Sequence, residues 1–199
     1  MILIGLTGSI AMGKSTVGAM FAEMGAPLFD SDAAVHEAYA GAEAHRIEAE
    51  FPGVLRDGAV DRRKLAGYVL DDDRALARLE AIVHPMVEAA RRAFVARASA
   101  RGVRRVVIDS PLLMETGMES SVDLVVVVSA PSAEQRRRAL ARPGMTAERF
   151  EALLARQTPD PEKRRRAHFV IDTGGAIPAT RKQARDLLRS AAGMTGRSG

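Results

Sequence analysis

The segment Gly8–Ser15 carries the pattern G-x-x-x-x-G-K-S, in which each fixed position has a chemical use. Its two glycines let the backbone turn tightly, so that several N–H groups converge on phosphate oxygens. Lys14 supplies an ammonium group for the β- and γ-phosphates, and the Ser15 hydroxyl is a ligand for Mg²⁺. The pattern predicts a site for ATP and Mg²⁺ that is formed by Gly8, Ala11, Met12, Gly13, Lys14, Ser15 and Thr16. The alternative, a glycine turn with an incidental lysine, leaves the apolar strand before the pattern and the amphipathic helix after it unexplained.

Two carboxylates, Asp30 and Asp32, follow the second predicted strand, at the end where open α/β sheets bind ligands. Because they alternate around Ser31, an extended backbone would point both side chains the same way. An exposed aspartate is ionised at neutral pH and accepts a hydrogen bond from an attacking hydroxyl. The alternative is that Asp32 or Ser31 only caps the following helix. A further carboxylate, Asp109, ends an apolar strand and is a candidate for the magnesium side of the site.

Arginines are concentrated between residues 136 and 166. Arg138 and Arg142 lie four residues apart on one predicted helix, so we expect them to project from a common face and to close over ATP. The alternative is a solvated basic face. For the denser run at residues 163–166, KRRR, a solvated face or an RNA-like patch is the favoured interpretation.

Strands and helices must position these groups. Along the chain, short apolar runs alternate with segments of helical periodicity. We predict strands at residues 2–7, 26–29, 104–109, 124–128 and 169–172. We predict helices after the glycine-rich turn, through most of residues 33–100, briefly at 112–115, at 133–142 and at 178–191. We also predict a loop around Gly53 and Gly58, a helix capped by Asp61, and a frayed tail from Gly193 onward. The step from His84 to Pro85 is expected to break or kink its helix. The alternation indicates an α/β fold with a parallel sheet between helices.

The composition excludes several classes of site. The chain of 199 residues has no cysteine, so disulfides, cysteine-bound metals and thiol catalysis are absent. Aromatic residues make up only 4% and there is no tryptophan, which disfavours stacking on single-stranded nucleic acid. The net charge of +4 suits substrates that carry phosphates. Since the N-terminal apolar run is too short for a signal peptide or a membrane span, we expect a soluble cytoplasmic protein.

In the order and spacing of its motifs, the chain resembles the dephospho-CoA kinases over most of its length. The residues that carry the resemblance are the Gly8 to Thr16 loop, Asp30-Ser31-Asp32, Asp61-Arg62 with Leu65, His84-Pro85, Pro111-Leu112-Leu113 with Glu115, Gln135, Arg138, Arg142, Gln157, and Val170-Ile171-Asp172 with Gly174. Four positions depart from the family pattern, namely Ala11, Met12, His168 and Thr173. A methyl group at position 11, where the family favours glycine, is expected to require a negative φ.

The resemblance implies transfer of a phosphoryl group from ATP to the 3′-hydroxyl of dephospho-CoA, the last step of coenzyme A synthesis. It implies a P-loop three-layer αβα fold with a five-stranded parallel sheet, a helical insertion and a lid. The nucleotide-binding core would comprise residues 1–32, 101–135 and 168–199, the CoA-binding insertion residues 33–100, and the lid residues 136–167. The implied roles are catalysis by Asp32, Lys14 and Arg142; ATP binding by Arg138, Arg142 and Thr173; and acceptor binding by Asp30, Asp32, Arg62, His84, Pro111, Leu112 and Leu113.

Other functions remain open from the residues themselves. They are another P-loop kinase acting on a small molecule or a nucleoside monophosphate, a nucleotide-gated ATPase switch, and an RNA-binding module. His84 either packs or caps a helix, or it contacts the acceptor. We expect small-molecule partners only, ATP and dephospho-CoA, with no nucleic acid and no membrane, and a monomer or weak homo-oligomer.

Overall fold

The chain alternates between strands and helices, as a computed structural model describes it for residues 1–41, 43–70 and 72–194. The first half contains β1 (Ile2–Thr7), α1 (Lys14–Glu23), β2 (Leu28–Asp30), α2 (Ser31–Ala40), α3 (Ala44–Glu50), β3 (Leu55–Arg56), β4 (Ala59–Val60), α4 (Arg62–Val69) and α5 (Asp73–Ala100). The second half contains β5 (Arg105–Asp109), a 3-10 turn (Met118–Ser121), β6 (Leu124–Ser129), α6 (Ser132–Leu140), α7 (Ala147–Ala155), α8 (Asp160–Arg166), β7 (Phe169–Asp172) and α9 (Ile177–Ala191). The predicted frayed tail falls largely on residues 195–199, outside the described residues.

The main sheet has the strand order β2-β5-β1-β6-β7 among the described residues. β1 pairs in parallel with β5 and β6, and β6 pairs in parallel with β7. The predicted α/β class and parallel five-stranded sheet are confirmed. Parallel strands place their carboxyl ends at one edge, and that edge is where the chemistry of this fold resides.

The main core lies where β1 and β6 meet α1 and α9. Burial explains why these strands read as continuous apolar runs, since both faces of a parallel sheet are covered. At the other face of β1, a Cβ at Gly5 would lie 2.8 Å from the Leu113 side chain. The core contains Ile4, Leu6, Val17, Phe21, Val126, Val128, Ile171, Leu187 and Leu188, all at most 5% exposed.

The described chain divides into two compact units. One, the sheet unit, comprises Met1–Phe29 together with the described residues from Ala98 onward. The other, the helical unit, comprises Asp30–Arg97 and has an apolar cluster of its own. No helix among the described residues has the length and apolar character needed to span a membrane.

Three local predictions in these units differ from the structure. The stretch around Gly53 and Gly58, predicted to be a loop, contains a small antiparallel hairpin of β3 and β4. Pro85 does not break its helix: α5 continues through it for 28 residues, because Leu79 and Val83 before the proline and Val87 after it pack into the same apolar cluster. Residues 112–115 form turns rather than a helix.

Candidate active site

The phosphate-binding loop lies between β1 and α1, as its pattern requires. Gly13 takes the N-cap position of α1 with φ +91°, and no side chain caps this helix. The N–H groups of its first turn are therefore left for another acceptor, and the helix dipole favours an anion there. Gly8 is needed because a Cβ at that position would lie 2.6 Å from the carbonyl oxygen of Val128. This geometry fits the phosphates of a nucleotide.

Ala11 adopts a left-handed backbone with φ +61°, so the expectation of a negative φ was wrong. A left-handed alanine costs about 1–2 kcal/mol. Its methyl group is buried with Ala139 of α6 and Phe150 of α7, and this packing offsets part of the strain. The loop can hold its turn without a glycine because the neighbouring helices bury the extra carbon.

Met12 and Thr173, both expected to contact the nucleotide, make contacts within the protein in this structure. The sulfur of Met12 accepts a hydrogen bond from the Ala130 N–H at 3.1 Å. The Thr173 hydroxyl lies 2.6 Å from the Met12 carbonyl oxygen, to which it donates. The side chain of Thr173 therefore holds the backbone of the phosphate-binding loop at Met12.

Lys14 of the loop forms an ion pair with Asp109 at the end of β5. The aspartate side chain is only 5% exposed, and that of Lys14 is 17% exposed. The carboxylate proposed for the magnesium side thus holds the ammonium group at the carboxyl edge of the sheet. Ser15 and Thr16 are exposed in the first turn of α1, where the Ser15 hydroxyl is accessible to an ion carried by phosphates.

Arg138 and Arg142 do not share a helix face, because α6 ends at Leu140. The proline at position 143 disfavours a helical backbone at Arg142, which is exposed beyond the helix end. The Arg138 guanidinium donates to the Thr173 carbonyl at 2.7 Å and to the carboxylate of Glu134 at 2.7 Å. Of the two arginines, Arg142 is therefore the one exposed for a ligand.

In the basic run at 163–166, the three arginines are exposed as we predicted, but Lys163 is fully buried, so the prediction is wrong for that residue. Its Nζ lies 3.0 Å from a carboxylate oxygen of Glu115 and 3.3 Å from the Pro111 carbonyl oxygen. Burial raises the pKa of Glu115, but the hydrogen bonds from Lys163 and from the Thr158 N–H outweigh it and hold that pKa below its usual value. Sequence reasoning could not find this pair, because α8 and the Glu115 turn are far apart in the chain.

The segment Pro111-Leu112-Leu113 presents one exposed apolar side chain. Leu112 is 42% exposed, whereas Leu113 is fully buried. The Thr7 hydroxyl and the Lys163 ammonium both donate to the Pro111 carbonyl. Within this segment only Leu112 offers a substantially exposed side chain to an acceptor.

In the helical unit, Asp30 is the residue that caps α2. Its carboxylate accepts a hydrogen bond from the Ala33 N–H at 3.0 Å, so the suggestion that Asp32 or Ser31 is the cap was wrong. Ser31 is already helical, and the extended backbone assumed around it is absent. Asp32 is exposed in the first turn, and within the described chain its carboxylate has no hydrogen-bond or ion-pair partner. This leaves the Asp32 carboxylate available to an incoming hydroxyl.

Arg62 in the helical unit contacts a histidine that sequence reasoning missed. Its NH1 lies 2.7 Å from Nε2 of His36, which must accept because a guanidinium only donates. His36 stands four residues after Asp32 on α2, a spacing that puts both on one helix face and could have revealed it. His84 is exposed on α5.

The sequence profile of the dephospho-CoA kinase family matches residues 2–179 of this chain. The chain belongs to that family. Dephospho-CoA kinases from Mesorhizobium japonicum and Rhizobium etli are 54% and 53% identical to it over 196 and 188 residues. Those alignments cover 98% and 94% of this chain and 100% and 93% of the relatives. It is accordingly an ATP-dependent kinase, a phosphotransferase.

Solved structures share the fold of this chain. TT1252 from Thermus thermophilus superposes with a TM-score of 0.85 at 34% identity, covering 100% of this chain and 98% of that one. Dephospho-CoA kinase from Campylobacter jejuni matches at 23% identity with a TM-score of 0.71, covering 94% and 96% of the two chains. At that identity the second likeness supports the fold alone, and the P-loop kinase fold is the one found.

Proposed function

We propose that this member of the dephospho-CoA kinase family transfers the γ-phosphoryl group of ATP to the 3′-hydroxyl of dephospho-CoA, giving coenzyme A and ADP. The observation that carries the proposal is the uncapped, glycine-led start of α1 with Lys14 beside it, in a chain of this family. In the reaction the 3′-oxygen forms a bond to the γ-phosphorus. The bond from that phosphorus to the β,γ-bridging oxygen breaks, and the bridging oxygen leaves with ADP.

The loop would bind the triphosphate through its N–H groups and through Lys14. The pairing of Lys14 with Asp109 keeps the ammonium group at the sheet edge, and a phosphate would compete for the same donors. Since phosphoryl transition states are loose, charge neutralisation and positioning should dominate the rate. Arg142, exposed beyond α6, is our candidate for neutralising charge as it spreads.

Mg²⁺ would reach the site with the phosphates and bind the Ser15 hydroxyl. When bound, it would neutralise charge on the phosphates. The site needs few protein ligands for the ion, because Mg²⁺ in kinases is usually held by few side chains together with substrate phosphates and water.

Asp32 would accept the hydrogen bond of the 3′-hydroxyl and take its proton late in the transfer. Its carboxylate has no partner in the described chain, while the neighbouring Asp30 is occupied as a helix cap. Arg62, held by His36, and the exposed side chains of Leu112 and His84 would contact the acceptor. We expect the enzyme to act in the cytoplasm as a monomer or weak homo-oligomer.

The test is ADP release from Mg-ATP with dephospho-CoA and a panel of nucleoside monophosphates as acceptors. We expect release to depend on dephospho-CoA, with coenzyme A identified by mass. Lys14→Met should lose nearly all turnover, and Lys182→Met, an exposed lysine on α9, is the matched control. Release that depends on a different acceptor would reject the proposed substrate while keeping the ATP site.

A further inference from the structure

Two glutamine side chains from later segments of the chain form hydrogen bonds to the backbone of the phosphate-binding loop. The Ile10 N–H donates to the Gln157 side-chain oxygen at 2.9 Å. The Gln135 side-chain nitrogen donates to the Ile10 carbonyl oxygen at 2.8 Å. Gln135 on α6 is only 4% exposed, and Gln157 follows α7 in the chain. Two consecutive peptide groups of the loop are therefore each fixed by one side-chain amide.

These bonds act where the loop is most strained. The Ile10 carbonyl belongs to the peptide that precedes Ala11, whose φ of +61° an alanine rarely adopts. The bond from Gln135 fixes the plane of that peptide, and Thr173 holds the Met12 carbonyl two residues later. The loop is thus fixed on both sides of Ala11, next to the uncapped start of α1 at Gly13.

We propose that Gln135 and Gln157 are positioning residues that hold the phosphate-binding loop in its anion-binding shape before ATP arrives. A loop fixed in advance pays less ordering entropy when the nucleotide binds, so the two amides set the affinity for ATP. The inference rests on the proposed function only in that the loop binds ATP, and it does not depend on which acceptor is used.

The two amides have opposite polarity, and this gives a sharp test. Gln135 donates to a carbonyl, so Gln135→Glu removes the donor and sets a carboxylate against that carbonyl. Gln157 accepts from an N–H, so Gln157→Glu keeps an acceptor in place. Because the two positions differ in burial, each glutamate variant is compared with the methionine variant at the same position. The direction of the hydrogen bond predicts that glutamate is better than methionine at position 157 but not at position 135.

The experiment measures binding of a non-hydrolysable ATP analogue with Mg²⁺ by calorimetry. Gln135→Glu, Gln135→Met and Gln157→Met should each weaken binding about tenfold, as expected when one backbone group loses its partner. Gln157→Glu should lose clearly less than Gln157→Met. The control is Arg137→Gln, which removes an exposed ion pair on α6 and should bind as the wild type does. In turnover assays, the KM for ATP should rise while the KM for the acceptor stays within about twofold, because the loop contacts only the nucleotide phosphates.

Unchanged analogue binding in folded variants would overturn the proposal, and so would equal losses for Gln157→Glu and Gln157→Met. If the Gln135 variants do not fold, the comparison of Glu with Met at the half-buried Gln157 decides the matter alone. A wild-type protein that binds the analogue but does not phosphorylate dephospho-CoA would reject the proposed substrate, and the loop comparison would still be valid.

Discussion

Replacing Lys163 with methionine tests whether the buried ion pair of the sheet unit is energetically important. Methionine fills the space of the lysine side chain but leaves the Glu115 carboxylate without its cation. The second oxygen of that carboxylate is already buried without a hydrogen-bond partner in the described chain. Removing one member of a buried pair costs about 3–5 kcal/mol. We take the lower end, about 3 kcal/mol, because the Glu115 side chain keeps 16% exposure. In a chain of this length, that loss lowers Tm by roughly 6–12 °C.

The loss should also depend on pH. In the wild type the lowered pKa of Glu115 means that its ionised form stabilises the fold above pH 4.5, and this contribution disappears as pH falls through the lowered pKa. Without Lys163 the pKa of Glu115 should rise, since burial is then opposed mainly by the Thr158 N–H. Protonation of Glu115 removes the unpaired buried charge in the variant. The difference in free energy of unfolding between wild type and Lys163→Met should therefore decrease from pH 7 toward pH 4.

Thermal unfolding followed by circular dichroism at pH 7 and pH 4 measures both effects. Arg164→Met, at the exposed neighbouring position, is the control and should stay within about 0.5 kcal/mol of the wild type. The double variant Lys163→Met with Glu115→Leu should recover much of the loss, because an apolar pair can replace a buried ion pair. A Lys163→Met protein with the wild-type Tm, or with a deficit that does not change with pH, would refute this reasoning.

Three further predictions concern the catalytic base, the loop and α6. Asp32→Asn should lower kcat by about 10²–10⁴-fold with little change in KM, because the base is lost. Glu37→Gln on the same helix is the control and should keep the wild-type kcat. Steady-state kinetics in which Asp32→Asn has the wild-type kcat would reject Asp32 as the base. Ala11→Val should lower Tm by roughly 4–8 °C, because a β-branched residue fits a left-handed backbone poorly and overpacks the site, while Ala11→Gly should remain close to the wild type. The hydrogen bonds from Arg137 lower the pKa of Glu134 to about 2, so an NMR titration should find its carboxylate ionised down to that pH. The ion pairs of Glu134 should therefore stabilise α6 fully above pH 4.5, the ordinary pKa of a glutamate, and this stabilisation should be lost as the pH falls through about 2. A Glu134 midpoint near 4.5 would contradict the pairing.

The parallel sheet was predictable because its strands are local signals. β1, β6 and β7 are apolar or β-branched runs bounded by turn residues, and burial on both faces produces such runs without tertiary information. The phosphate-binding loop was equally local, since its glycines and lysine lie within eight residues of each other. Asp61 was correctly predicted to cap α4, where it accepts from the Arg63 and Lys64 N–H groups.

What escaped prediction depends on contacts between distant segments. Nothing near Lys163 in the chain indicates that Glu115 will neutralise it, and a lysine among three arginines normally lies in water. The left-handed Ala11 is tolerated because Ala139 and Phe150 cover its methyl group. α5 passes Pro85 because packing on both sides outweighs a local cost of about 3 kcal/mol.

The most direct test of the central claim follows the phosphoryl group itself. The protein would be incubated with Mg²⁺, dephospho-CoA and ATP that carries a heavy-oxygen label on its γ-phosphoryl group, and the products would be analysed by mass spectrometry. We predict coenzyme A that bears the labelled phosphoryl group on its 3′-oxygen, in an amount equal to the ADP released, and no such product from Lys14→Met. ADP formed without labelled coenzyme A, or a label found on another acceptor in a mixture, would contradict the account.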